Sequence, residues 1–191
     1  MTPATDFYWH ALHGDNDAAL LRGWVDVLAE RLRAADVGLD LHAAPLPADV
    51  GEAIVDALAY GDLNGCVEAC RSAEVEIERR GVRVSVYCNP ESAAARAARG
   101  RLPHALWGIS IVGTLSLTYC QGNPFAFWHE TLHLLGAQDH YSTDDLATTC
   151  ELPSCVMQYA PSDRTVGERP FLCRRTRAIL QKRAGRSRRG V

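Results

Sequence analysis

The chain has 191 residues, of which 47% are hydrophobic and 23% charged, proportions that are ordinary for one soluble globular domain. No stretch approaches the length of a membrane span, which argues against a membrane-embedded class. The net charge is −3, but residues 174–191 carry eight basic side chains and no acidic one. Because no aromatic residue interleaves with these basic residues, we expect a solvated last helix and no nucleic-acid surface.

The N-terminal part of the chain alternates between strand and helix patterns. Residues 7–13 form a short aromatic run that predicts a strand, and residues 18–35 repeat apolar side chains at helical spacing. Residues 39–45 predict a second strand. Strand, helix and strand in this order favour a parallel pair of strands joined by a crossover.

The middle of the chain predicts further helices and strands. We expect helices over residues 49–59 and 66–80 and an alternating strand over residues 82–87. The alanine- and arginine-rich stretch 91–101 indicates a surface helix or a mobile loop. Two β-rich runs, 106–112 and 115–120, are separated by Gly113-Thr114 and predict a hairpin-like pair.

The stretch HETLHLLGAQDH carries the strongest chemical signal in the chain. Its histidines, His129 and His133, are four residues apart, so on a helix they lie on one face and can aim both imidazoles at one Zn²⁺. Glu130 is placed to address a bound water. Gly136 can end the helix in a left-handed turn, so that a residue just beyond it, such as Asp139, completes the site.

This spacing, HExxHxxGxxD, resembles the metzincin metallopeptidases. The resemblance implies that His129, His133 and Asp139 bind a catalytic zinc and that Glu130 is the general base. Most metzincins have histidine as the third ligand, and the aspartate here is similar to that of snapalysin. The alternative third ligand is His140, but neighbouring residues of an extended segment point opposite ways, so we expect it only to support the site by a hydrogen bond. Two histidines and a carboxylate can also hold Fe(II).

The segment CELPSCVMQY follows a polar insert and resembles the corresponding segment of archaemetzincins. The resemblance implies that Met157 forms a tight methionine turn below the metal. Tyr159 has the MxY spacing of astacins and serralysins, which implies that its hydroxyl assists the transition state. A tyrosine that only packs the turn is the alternative.

The same archaemetzincin resemblance implies a second, structural zinc held by cysteines. The match is partial, because about ten residues separate Asp139 from Cys150 and because Thr176 stands where the partner of Cys173 would be. Three cysteines leave a tetrahedral site incomplete, so a second zinc and a Cys150–Cys155 disulfide both stay open. His140 or Cys120 could supply a fourth ligand, but no motif in the sequence supports either of them.

The predicted function is hydrolysis of a peptide or related amide bond by a zinc-activated water, with Glu130 as general base. In metzincins, an edge strand before the active-site helix holds an extended peptide, and residues 106–112 are the candidate, with an ordinary sheet strand as the alternative. The sequence motifs do not distinguish an endopeptidase from an aminopeptidase. Two other functions stay open, namely a small-metabolite enzyme on the same fold and a zinc-stabilised binding module without activity.

The predicted fold class is α/β, or α+β, with a metzincin-like mixed sheet, an active-site helix and a small C-terminal lobe that contains the methionine turn. We expect one domain over residues 1–191, with an N-terminal α/β lobe over 1–136 and a C-terminal lobe over 137–191. No signal peptide is visible, so a cytoplasmic location is expected. The expected partner is a peptide or small amide substrate, and the oligomeric state is left open.

Overall fold

A computed structural model describes residues 4–11, 15–37, 40–76, 83–102, 108–111, 113–119, 123–141, 149–152, 154–158 and 171–187. In these residues, strands β1 to β5 span Ala4–Ala11, Asp40–Pro45, Arg83–Tyr87, Gly108–Ile111 and Leu115–Thr118. Helices α1 to α6 span Asp15–Ala34, Ala48–Ala59, Leu63–Glu76, Ala93–Arg101, Pro124–Leu134 and Arg174–Ser187.

The five strands form one mixed sheet in the order β2-β1-β3-β5-β4. Strands β1, β2, β3 and β5 are parallel to one another, whereas β4 runs antiparallel to β5. The predicted parallel pair of β1 and β2 and the predicted hairpin-like pair of β4 and β5 are therefore confirmed. Among the described strands, β4 lies at one edge of the sheet.

Alternation along β3 and β5 divides the protein into three layers. Successive side chains of a strand point to opposite faces. Val84 and Val86 of β3 join Leu115 and Leu117 of β5 in an apolar cluster with helices α2, α3 and α4. Tyr87 faces the other side and packs in a second apolar cluster with helices α1, α5 and α6. The predicted α/β class with a mixed sheet is confirmed, and helix α5 carries the HETLH stretch.

Several predicted elements differ from the observed ones in extent or kind. Helix α3 begins at Leu63, three residues before the predicted start, and residues 77–82 lie outside the described part of the chain. The stretch 91–101 contains helix α4, and the alternative of a mobile loop is wrong. Ala95 and Ala98 of α4 are fully buried, and the Ser92 hydroxyl accepts a hydrogen bond from the Ala95 N–H at 3.0 Å, so the helix is both capped and packed.

Helix α6 carries the basic sequence predicted for the last helix. Arg174, Arg175 and Arg177 are exposed, while Leu180 is buried against the cluster that contains α5. The exposed basic face agrees with a solvated surface. No helix in the described residues has both the length and the apolar character required to cross a membrane.

Candidate metal centre

Helix α5 is defined at both ends by its sequence. Asn123 is the N-cap, and its side-chain oxygen accepts a hydrogen bond from the Ala126 N–H at 3.1 Å, while Pro124 occupies the first helical position. Beyond the C-terminus, Gly136 has φ of 89°, and its N–H donates to the His133 carbonyl at 2.8 Å. The predicted glycine turn is therefore confirmed, and it directs the chain back toward the helix.

Three candidate ligand atoms converge at the end of α5. His129 Nε2 lies 3.0 Å from Asp139 Oδ1, His133 Nε2 lies 3.2 Å from the same oxygen, and the two Nε2 atoms are 3.2 Å apart. Nitrogen and oxygen ligands about 2.1 Å from a tetrahedral zinc are separated by about 3.4 Å. The donor atoms thus have nearly the spacing that a zinc ion requires.

Hydrogen bonds to backbone carbonyls orient both imidazoles. His129 Nδ1 is 2.8 Å from the Val156 carbonyl oxygen, and His133 Nδ1 is 2.9 Å from the Ala137 carbonyl oxygen. A carbonyl oxygen only accepts, so each Nδ1 carries the proton and each Nε2 presents a lone pair. In the neutral imidazoles, these two nitrogens and the carboxylate oxygen lie within 3.2 Å of one another and form a set of donors that a metal cation can share.

The electrostatics of the three side chains favour positive charge at this point. Burial acts to lower the pKa of His133, but the hydrogen bond and the charge of Asp139 outweigh burial and raise it. Burial acts to raise the pKa of Asp139, yet hydrogen bonds and charge interactions with His129 and His133 hold it well below its usual range. The carboxylate therefore stays ionised and the cluster attracts positive charge.

Glu130, the predicted general base, lies in the same turn of α5 and is 7% exposed. Its Oε2 atom accepts a hydrogen bond at 2.6 Å from the hydroxyl of Ser110 on β4. Sequence reasoning missed Ser110, which lies 20 residues before Glu130 and belongs to no motif. The only signal available was its position in the predicted strand pair that precedes helix α5.

A second cluster of metal-binding side chains contains three cysteines and one histidine. The donor atoms of His140, Cys150, Cys155 and Cys173 all lie within 4.8 Å of one another. His140 Nδ1 is 3.4 Å from Cys173 Sγ and 3.7 Å from Cys155 Sγ. Sulfur at about 2.3 Å and nitrogen at about 2.1 Å from a tetrahedral zinc are separated by about 3.6 Å. These atoms also fit a zinc ion.

The three cysteines are free thiols, so the alternative of a Cys150–Cys155 disulfide is wrong for this structure. Burial raises the pKa of Cys150 to about 12 and also raises that of Cys155. Burial acts in the same direction on Cys173, but hydrogen bonds from Thr176 outweigh it and lower its pKa. Burial, helped by the charge of Arg175, lowers the pKa of His140, which favours the neutral imidazole that coordinates metals.

The segment from Cys155 to Met157 connects the two clusters. Cys155 belongs to the second cluster, and the next residue, Val156, accepts the hydrogen bond from His129. Met157 is fully buried, and its carbonyl oxygen accepts a hydrogen bond from the His140 N–H at 2.8 Å. The turn that contains Met157 thus contacts both clusters through its backbone, and its role as a methionine turn below a metal stays a prediction.

One further aromatic residue was missed and another cannot be placed. The ring of Tyr141 stacks on that of His129, with centroids 6.2 Å apart and an angle of 27° between the planes. Its position directly after the candidate ligands was the only signal in the sequence. Tyr159, for which we predict a role in the transition state, lies outside the described residues, as does Cys120.

The fold and these side chains define a mixed α/β protein with a candidate metal centre of two histidines and one carboxylate on a helix and its following turn. No protein-family model matches the sequence, and no curated protein is significantly similar to it. Among solved structures, the crystal structure of archaemetzincin from Methanopyrus kandleri resembles this chain with a TM-score of 0.49 and 16% sequence identity. The alignment covers 97% of this chain and 99% of that protein.

Proposed function

We propose that this chain is a zinc-dependent hydrolase that cleaves a peptide or related amide bond. The main support is the convergence of His129, His133 and Asp139 within 3.2 Å, with Glu130 on the same helix. A tetrahedral zinc held by three protein ligands keeps one position for water or substrate. Bound there, zinc would supply the Lewis acidity that polarises a carbonyl group and lowers the pKa of water to about 7.

Glu130 would move the proton in this reaction. Its carboxylate can take a proton from the water that attacks the carbonyl carbon and return it to the leaving nitrogen. Asp139 and the two imidazoles would hold the metal, while the carbonyls of Val156 and Ala137 accept from each Nδ1–H and leave each Nε2 to bind it.

The proposed substrate is an extended chain that pairs with β4. This strand lies at the edge of the described sheet and packs beside α5 through Ser110, which bonds Glu130. A peptide added to such an edge gains main-chain hydrogen bonds whatever its sequence. The general base would then lie next to the scissile bond.

We also propose that His140, Cys150, Cys155 and Cys173 bind a second zinc with a structural role. Four side-chain donors complete a tetrahedral set, which leaves no position for water. The chain would then bind two zinc ions. Metal analysis of the purified protein measures the number of zinc ions per chain. One zinc per chain in both the wild type and a variant with Cys155 replaced would contradict the second site.

The proposed activity is tested with a peptide library incubated with the zinc-loaded protein and with Glu130→Gln. We expect cleavage by the wild type and almost none by the variant. Cleavage products that are equal in the two samples would contradict the proposal. If neither sample cleaved peptides but the protein hydrolysed a small amide, the small-metabolite alternative would replace it. If replacement of Glu130 left the function of the protein intact, the chain would instead be a zinc-stabilised binding module.

A further inference from the structure

Two residues of the edge strand shape the position of the Glu130 side chain. Gly108 and Ser110 are two residues apart on β4, so they lie on the same face of the strand. A Cβ atom at Gly108 would lie 2.6 Å from Glu130 Cγ and 2.9 Å from Cδ, and closer still to the backbone oxygen of Leu117. The strand therefore leaves room for the glutamate at one position and provides a hydroxyl at the other.

Ser110 makes two contacts with Glu130. Its Oγ atom lies 2.6 Å from Oε2 of the carboxylate and 2.9 Å from the backbone carbonyl oxygen of the same residue. Hydrogen bonds from a hydroxyl to an ionised carboxylate are short and strong, and the 2.6 Å contact has that length. Within the described residues, Oε1 accepts no hydrogen bond, so one carboxylate oxygen is held and the other is left to accept a proton.

Ser110 lies in register with a row of hydroxyl-bearing residues under α5. It pairs in register with Ser116 of β5, which pairs in register with Ser85 of β3. Ser85 Oγ lies 2.7 Å from Ser116 Oγ and 3.0 Å from Thr131 Oγ1, and all three of these residues are fully buried. The row thus bonds the sheet to Thr131, the residue next to Glu130, which fixes the helix relative to β4.

We propose that Ser110 is a positioning residue that holds Oε2 of Glu130 and presents Oε1 to the water and to the leaving nitrogen. This inference rests on the proposed function, because it gives Ser110 a role only through the general base. The same hydroxyl serves both protonation states of Glu130. It donates to Oε2 of the carboxylate, and when Oε1 carries the proton it still donates to Oε2, which is then the carbonyl oxygen of the acid.

The test compares Ser110→Ala, which removes the hydroxyl, with Ser110→Thr, which keeps it. The matched control is Thr114→Ala, which removes a hydroxyl from the turn between β4 and β5. With a peptide that the wild type cleaves, we expect Ser110→Ala to lower kcat about tenfold or more and to change KM by less than about twofold. Ser110→Thr and Thr114→Ala should keep wild-type kcat. In a Glu130→Gln background, Ser110→Ala should have no further effect.

A second readout does not depend on turnover. The carboxylate stretching band of Glu130 is obtained as the infrared difference between the wild type and Glu130→Gln, both loaded with zinc. We expect this band to shift in Ser110→Ala and to keep its frequency in Ser110→Thr and in Thr114→Ala.

Ser110→Ala must change both the kcat and the carboxylate band. If the wild type is active but either readout is unchanged in Ser110→Ala, the assignment of Ser110 is overturned. A wild-type protein that cleaves no peptide overturns the proposed function itself and, with it, the role of Ser110. The two failures are therefore distinguished by the activity of the wild type alone.

Discussion

Asp139 and His140 are neighbours in the chain, but their side chains belong to different clusters. Asp139 Oδ1 lies 3.0 Å from His129 Nε2, whereas His140 Nδ1 lies 3.4 Å from Cys173 Sγ. The His140 N–H donates to the Met157 carbonyl and holds the segment between the two clusters. In an extended segment, consecutive side chains point to opposite sides, so two adjacent residues can serve two metal ions.

The first prediction follows from this separation. Asp139→Ala should remove the metal held with His129 and His133, because it takes away one of the three converging donors. His140→Ala should leave that metal in place and remove the one held by the cysteines. Mass spectrometry should therefore find two metal ions per chain in the wild type, as proposed, and one per chain in each variant.

Cobalt substitution identifies which ion is lost. The absorption from thiolate-to-cobalt charge transfer should persist in Asp139→Ala and weaken or vanish in His140→Ala. The reverse pattern would mean that His140 is the third ligand of the first site, and Asp139 would then have no place in it.

A second prediction concerns the general base. Glu130→Gln keeps the shape of the side chain but removes its ability to accept a proton, so turnover should fall about 10²–10⁴-fold. Zinc content and thermal stability should stay close to those of the wild type. Glu52→Gln, the same change at an exposed position of helix α2, is the control and should keep full activity. Comparable rates in Glu130→Gln and the control would exclude the assigned mechanism.

The sequence was sufficient for features encoded by local spacing. The positions of His129 and His133 on one helix face and the end of that helix at Gly136 follow from periodicity and from the conformational freedom of glycine. The order of strand pairing β1–β2 and β4–β5 also follows from the order of elements. The helix features depend on residues that are close together in the chain, and the strand pairs join elements that are neighbours in strand order along the chain.

Features that depend on distant residues were not available from the sequence. His140 meets Cys173 across 33 residues, and spacing alone does not show which polar side chain completes a set of three cysteines. Ser110 meets Glu130 through the pairing of β4 with β5 and the packing of α5 on both. Such contacts are set by tertiary packing, so they become visible only when the fold is known.

The third prediction links the second cluster to stability and to the first metal. Cys155→Ser should lower the melting temperature of the zinc-loaded protein and abolish the stabilisation that zinc gives to this part of the chain. Because Val156 follows Cys155 and orients His129, the variant should also bind the first zinc more weakly, by about tenfold to a hundredfold. Calorimetric zinc titration measures both effects.

Cys70→Ala is the control for this change, since Cys70 is equally buried but packs in the apolar cluster with α2 and α4. It should lower stability and leave both zinc affinities unchanged. If Cys155→Ser and Cys70→Ala behaved alike, Cys155 would be a packing residue only.

The last prediction is a rescue of the second site by Thr176. This residue is fully buried, and its Oγ1 lies 3.4 Å from Cys173 Sγ, 3.9 Å from Cys155 Sγ and 3.4 Å from His140 Nε2. A sulfur atom at this position would therefore lie within reach of the ion that the other cysteines bind.

His140→Ala should lose the second zinc, and the double variant His140→Ala/Thr176→Cys should regain it as a site of four cysteines. Cobalt-loaded double variant should show stronger thiolate charge transfer than the wild type, because four thiolates replace three. Thr176→Ser in the same His140→Ala background is the matched control, since a neutral hydroxyl is a poor zinc ligand and should rescue nothing. Equal metal content in the two double variants, or no rescue in either, would show that Thr176 lies too far from the ion to replace the histidine.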